Sequence, residues 1–147
     1  MEFSKCFDKW RRLEKQFATM IIQKELDVLK LEFAPNKQFK DWDLKITSEQ
    51  DGKIKETTYE VKSDDKSLET WNICFEYYYN WEPSGIYASK ADYIVYQIAW
   101  EFYIKPRAEL LADLAVVEKK NVDGGDGNRS KMFLISKEKF DLIFNKY

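Results

Sequence analysis

The sequence contains no histidine, and that absence excludes more chemistry than any residue present suggests. Without imidazole there is no Ser-His-Asp or Cys-His nucleophilic centre, no HExxH zinc protease, no HNH nuclease and no histidine-ligated zinc. Cysteine is scarce as well. Cys6 and Cys74 lie in unrelated segments and form neither a CxxC motif nor a secreted-type disulfide framework, so both read as reduced, core-packing residues. No apolar run approaches the roughly 18 residues of a membrane span. The stretch Met1 to Arg12 lacks the apolar centre of a signal peptide, which points to a cytoplasmic protein. An excess of one charge is missing too: 24 Lys and Arg stand against 26 Asp and Glu, a formal net charge of -2, so no global basic footprint announces a nucleic-acid binder. Chemistry in this chain must run on carboxylates, lysine, hydroxyls or a bound hard metal.

What is present is an ordinary folding composition. The 147 residues are 44% hydrophobic and 16% aromatic, enough for one domain with one substantial core and too apolar for disorder. Apolar side chains at Phe3, Phe7, Trp10, Leu13, Phe17, Met20, Ile21 and Val28 recur at helical spacing. They predict a long first helix over residues 3–31, ended by Ala34-Pro35-Asn36. Its polar face holds Lys9, Arg11, Arg12 and Lys15, a solvated face or a set of backbone-phosphate contacts. From Asp41 the pattern becomes β. Residues 41–46 and 57–62 alternate polar with apolar, and Asp51-Gly52 between them is the two-residue signal of a type I′ hairpin. Further strands are expected at 71–79, 93–98, 101–104 and 131–135, with a short helical piece near Ser89 to Ala91. Pro106 suits the first position of a helix running to about Lys120, and Ser136 suits the cap of a closing helix carrying Phe140, Ile143 and Phe144. The Gly124-Gly125-Asp126-Gly127 loop lacks the GK[ST] of a phosphate loop and reads as a connector.

The segment that carries chemistry is Thr58-Tyr59-Glu60-Val61-Lys62. Alternation on a strand puts Glu60 and Lys62 on one face and Val61 on the other. With Asp51-Gly52 as the loop, Gln50 pairs with Lys53, Asp43 falls opposite Glu60, and Asp41 falls opposite Lys62. Two carboxylates roughly 5 Å apart repel by about 3 kcal/mol at an effective dielectric near 20. A divalent cation between them removes that cost, and Mg²⁺ commonly takes only one or two protein carboxylates. Acid and lysine alternating on an exposed sheet face is the plainer reading of the same residues.

An aspartate before one strand, a second strand ending Tyr59-Glu60-Val61-Lys62, and a helix ahead of both resemble the PD-(D/E)XK nuclease superfamily, whose signature is D…(D/E)xK on a β-hairpin. The run Asn72-Ile73-Cys74-Phe75-Glu76, then Ser84-Gly85-Ile86 and Ser89-Lys90-Ala91-Asp92-Tyr93, is similar to a small phage group within it that resembles Holliday junction resolvases. The likeness covers roughly residues 10–136. Trp42 stands where the signature's name has proline. The resemblance implies a restriction-endonuclease-like α/β domain over residues 1–147, a mixed, mainly antiparallel central sheet flanked by helices. It implies that Asp43 and Glu60 ligate Mg²⁺, with Mn²⁺ as a substitute, and that Lys62 positions water and steadies charge on a phosphate. Glu14 is the counterpart of a first-helix glutamate that related resolvases add, and its plain alternative is a solvated helix residue. Asn72 and Glu76 share a strand face and could border the site, while Asp92 reads more simply as a local turn cap. The expectation is a Mg²⁺-dependent DNA endonuclease acting as a homodimer, with DNA contacts at Lys9, Arg11, Arg12, Lys15, Asn72 and Lys90. The alternatives are a catalytically silent DNA- or protein-binding module on the same fold, or an interaction protein using Tyr77, Tyr78, Tyr79 and Trp81.

Overall fold

The structure, a computed structural model, describes residues 2–25, 27–124, 127 and 129–147, with side chains from Arg11 onward. In chain order the elements are α1 (Glu2–Lys24), β1 (Val28–Phe33), β2 (Leu44–Gln50), β3 (Lys53–Ser63), α2 (Ser67–Thr70), β4 (Asn72–Tyr79), β5 (Glu82–Pro83) and α3 (Gly85–Ala88). There follow β6 (Tyr93–Ile98), β7 (Glu101–Pro106), α4 (Arg107–Val116), β8 (Lys120–Gly124), β9 (Ser130–Ser136), α5 (Lys137–Ile143) and β10 (Asn145–Lys146). The strands form a six-stranded sheet in the order β1-β2-β3-β6-β7-β10 and a four-stranded sheet in the order β5-β4-β9-β8. Of the described ladders, β3 with β6 is parallel and the others are antiparallel. The mixed, mainly antiparallel sheet expected from sequence is the six-stranded one. The four-stranded sheet was not expected, since β4 and β9 read as further strands of the same layer.

Alternation along β6 explains why one sheet supports two cores. Val95 faces α1, where it packs with Phe17, Ala18, Ile21, Leu44, Ile46, Tyr59 and Val61. Its neighbours Ile94, Tyr96 and Ile98 face the second sheet and meet Ile73, Phe75, Phe133 and Ile135, with Leu110 and Leu114 of α4 and Phe140 beside them. A strand covered on both faces must be largely apolar, and β6 is so except at Gln97. Across the seam, Cys74 on the free edge of β4 is held by two side chains. Its N–H donates to Asp64 Oδ2 at 2.8 Å, and its carbonyl accepts from the Tyr96 hydroxyl at 2.9 Å. The Cys74 thiol is free and half-buried, and burial pushes it up to about 11, so it is an inert packing group.

The β2–β3 hairpin has the expected register without a bulge: every pair from Leu44↔Tyr59 to Gln50↔Lys53 is in step, and Asp51 and Gly52 have φ of 52° and 76°, as type I′ requires. Two further hairpins use the same two-residue geometry. Asn80 and Trp81 join β4 to β5 at φ 49° and 69°, and Ala99 and Trp100 join β6 to β7 at φ 50° and 71°. Left-handed backbone at a residue with a Cβ costs roughly 1–2 kcal/mol.

Several boundaries differ from expectation. The first helix stops at Lys24, and residues 28–33, expected as its continuation, form the edge strand β1 paired with β2. Val28 happens to fall on the helical spacing, but Val28, Leu31 and Phe33 pack against the α1 core from the sheet. Pro106 precedes the α4 helix as its cap, and that helix ends at Val116, after which β8 takes residues 120–124 to the edge of the second sheet. The short helix near Ser89 lies earlier, at Gly85–Ala88. Ser136 does cap α5, accepting from the Lys139 N–H at 3.2 Å. Gly125, Asp126 and Asn128 of the glycine-rich connector lie outside the described residues.

Gly85 starts α3 at φ 51°, and a Cβ built there would stand 2.2 Å from the Glu76 carbonyl oxygen, a backbone atom that cannot rotate away. Gly85→Ala should therefore lower unfolding stability in urea by at least about 2 kcal/mol, combining the left-handed penalty with displacement of β4. Gly52→Ala, whose Cβ meets nothing within 4 Å, should lose only about 1 kcal/mol. Equal losses would contradict this packing of α3 on β4.

Candidate active site

The β2–β3 ladder ends at Leu44↔Tyr59, but β3 runs on to Ser63. Asp43 stands where the next partner would be. Its N–H donates to the Tyr59 carbonyl at 2.9 Å, and its Oδ2 accepts the Val61 N–H at 2.8 Å, so a side chain completes the edge that β2 leaves open. The expected strand from Asp41 thus begins three residues later, because the chain there turns toward the α3–β6 connection. The Asp41 carbonyl accepts from the Lys90 N–H at 2.8 Å and the Ser89 hydroxyl at 3.2 Å. Asp41 therefore meets Lys90 and not Lys62.

On the far side of β3, Glu60 and Lys62 lie in register with Ile94 and Tyr96 of β6, and Val61 joins the opposite, α1-facing core, as strand alternation requires. Glu60 is 7% exposed, and its Oε1 lies 3.0 Å from Lys62 Nζ. Burial by itself would pull the Lys62 ammonium down, but the charges of Glu60 and Asp43 outweigh it and hold its pKa above the usual lysine value. Asp43 shows the opposite balance. Burial, then the Glu60 charge, push its carboxyl from 3.8 up to about 7, in spite of Lys62 and the Val61 N–H.

Glu14 reaches the same place from α1. It is 6% exposed, and among the described residues its buried Oε2 has no hydrogen-bond partner. Burial raises its pKa against a main-chain hydrogen bond and the charges of Lys62 and Arg11. The plain reading of Glu14 as a solvated helix residue therefore does not hold. Glu14, Asp43 and Lys62 line a cavity of about 520 Å³ with Arg12, Gln16, Asp65, Gln97 and Trp100. Lys62 also borders a second cavity of about 250 Å³ between the two sheets, together with Asp64, Cys74, Glu76 and Tyr96. Glu76 faces that second space and accepts from the Ser130 hydroxyl at 3.1 Å.

A hard divalent cation suits this donor set. Its groups are carboxylate oxygens, the Glu14 Oε2 is buried without a partner, and burial, then the Glu60 charge, raise the Asp43 carboxyl to about 7. Among the described residues no group of three or more acidic or thiol side chains is placed to hold a metal ion. Asp43 and Glu60 are the pair of carboxylates that could hold one, with its other positions left to water and phosphate.

The remaining site candidates separate. Asn72 turns back to the Thr70 carbonyl at 3.1 Å, at the end of α2, and lines neither cavity. Arg11 donates to the Ala34 carbonyl at 2.9 Å and lies over the Phe33 ring, which ties α1 to the end of β1. Arg12 and Lys15 are exposed, and the Lys9 side chain lies outside the described residues. Lys90 is exposed beside Asp41. Asp92 accepts from the Thr58 N–H at 2.9 Å and hydroxyl at 3.2 Å, a structural role, but one that reaches across to β3 and not the local turn cap expected of it. Sequence reasoning missed Asp65, Gln97 and Trp100. Gln97 donates to Gln16 at 3.0 Å and so fixes the cavity wall between β6 and α1, a cross-layer contact with no local sequence signal. Comparison with family models, with curated proteins and with solved structures finds no match for this chain.

Because Asp43 titrates near 7 when folded and near 3.8 when unfolded, the folded protein holds a proton over that interval that the unfolded chain releases. The stability this group contributes is complete below about pH 4 and lost as pH rises through about 7. In EDTA, Asp43→Asn keeps an acceptor for Val61 and removes the charge. It should melt above wild type at pH 8 by the equivalent of a few kcal/mol, at about 1.36 kcal/mol per pKa unit, and near wild type at pH 4. Parallel pH dependences of the two melting temperatures would contradict the buried carboxylate.

Proposed function

We propose that this chain is a Mg²⁺-dependent endonuclease that hydrolyses DNA phosphodiesters, of the PD-(D/E)XK type that its D…ExK residues resemble, in a resolvase-like or homing-like setting. The observation that carries the reading is the gathering of Asp43, Glu60 and Glu14 around Lys62 at the open end of β3, where Glu14, Asp43 and Lys62 line a cavity of about 520 Å³. Asp43 and Glu60 would hold the cation, with the Glu14 carboxylate beside them. When bound, Mg²⁺ supplies a water of lowered pKa and neutralises phosphate charge.

The chain's own residues do the rest. Lys62, held protonated by Glu60 at 3.0 Å, presents a fixed positive charge where negative charge grows on the phosphate. Arg12, exposed at the cavity wall, offers an adjacent phosphate a bidentate donor. Tyr59 and Val61 lock the strand from behind against α1, so that the polar face cannot slip relative to Glu14. Two chains related by a two-fold axis would supply one site for each DNA strand, and a homodimer belongs to this proposal.

Incubation with supercoiled plasmid, linear duplex, single-stranded DNA and a four-way junction, in Mg²⁺ and in EDTA, tests it. Cleavage in Mg²⁺ and none in EDTA is expected. Lys62→Ala should still bind DNA but cleave it about two orders of magnitude more slowly, the scale of a lost electrostatic or proton-handling group. Binding without cleavage by the wild-type protein would favour the silent DNA-binding module, and unchanged cleavage by Lys62→Ala would move catalysis elsewhere.

A further inference from the structure

Three hairpins of this fold use a two-residue turn with both φ angles positive, and they fill it differently. The β2–β3 turn has Asp51-Gly52, the pairing that accepts such backbone readily. The β6–β7 turn has Ala99-Trp100 at φ 50° and 71°, the second place given to the largest side chain available. Trp100 is 79% exposed, and among the described residues its indole meets no other ring and no cation. The turn is therefore strained in order to hold a large apolar plane in water. Trp81, 83% exposed at the equivalent place in the β4–β5 turn, lines none of the described cavities, whereas Trp100 stands on the wall of the 520 Å³ cavity that holds Glu14, Asp43 and Lys62. The same lining includes Arg12 from α1, and Gln97 bonded to Gln16. Exposed strain of this kind concentrates at binding sites.

We infer that Trp100 is a base-stacking residue for the nucleic acid bound in this cavity, so that the substrate class is DNA with an unstacked base next to the scissile phosphate, single-stranded or branched, rather than continuous duplex. The inference rests on the nuclease reading above and adds the substrate class to it. An indole face accepts any base, but only a base that has left its stack. The two-residue turn fixes the backbone beneath the ring at the cavity wall. In continuous duplex the bases are covered by their neighbours and Trp100 can meet only sugar and phosphate, contacts for which an indole has no advantage.

The test measures binding by fluorescence anisotropy, in Ca²⁺, of labelled continuous duplex, single strand and four-way junction to wild type, Trp100→Gly and Trp100→Phe. Trp100→Gly should weaken binding of single strand and junction by roughly 5- to 100-fold, the range of one lost base stack. Its affinity for duplex should be unchanged, and Trp100→Phe should recover most of the loss. Since glycine suits φ 71°, Trp100→Gly should also melt above wild type, which a residue needed for the fold would not do. Equal affinities across the three DNAs, an equal loss on all of them, or unfolding of Trp100→Gly would overturn the inference, and in each case wild-type cleavage in Mg²⁺ would leave the nuclease reading standing. Absence of both binding and cleavage of any DNA by wild type would overturn the two together.

Discussion

The Asp43 carboxylate accepts the Val61 N–H at 2.8 Å at the point where β2 has left the ladder and β3 has four residues still to run. The rest of the site depends on that early departure. A fully paired β2 would cover the edge of residues 60–63 and leave no space between β3 and α1. With β2 gone, the edge must still be satisfied, because an unpaired buried N–H costs about as much as a lost hydrogen bond. A carboxylate supplies the acceptor and so becomes fixed beside Glu60, within the field of Lys62 and Glu14. On the opposite side β6 continues in parallel register through Ser63, so β3 stays rigid where it is exposed to the cavity.

Charge is then concentrated where the fold tolerates it least. Glu14 and Glu60 are both less than a tenth exposed, Asp43 is raised toward neutrality by its surroundings, and Lys62 is the cation they share. Buried like charges oppose folding, and hydrophobic residues of the same size would serve the fold better. Two apolar cores make the arrangement tolerable, one on each face of the six-stranded sheet. Stability given up at one end of β3 is offset by packing along β3 and β6. The left-handed Trp100 follows the same logic at smaller scale, since it too is unfavourable in the isolated fold and borders the same cavity.

The hairpin was the most legible part of the sequence, because Asp51-Gly52 fixes the turn and the turn fixes every pair up to Leu44↔Tyr59. The last step of that reasoning, a strand pair at Asp43 and Glu60, became a side-chain contact with the main chain instead, since where a ladder stops depends on what lies beyond it. Here Ser89 and Lys90 draw Asp41 away. The strand β1 was hidden by Val28, which continues the helical spacing by coincidence. Strand β8, Lys-Asn-Val-Asp-Gly, has too few apolar residues to signal itself and exists because β9 offers it an edge. The division into two sheets was not legible, because strands 40 or more residues apart in the chain choose their partners through the cores. The burial of Glu14 was half legible. Leu13 and Phe17 flank it on the apolar face, and only the opening above Asp43 decides that the space beside it is a cavity.

The proposed role of the carboxylates Asp43 and Glu60 at the open end of β3 is to bind a divalent cation. Calorimetric titration of the metal-free protein with Mn²⁺, compared with Asp43→Asn and Glu60→Gln, tests it without any nucleic acid. The account predicts saturable binding by wild type and binding weakened at least tenfold in each variant, about 1.4 kcal/mol or more. Equal affinity in all three proteins would contradict it.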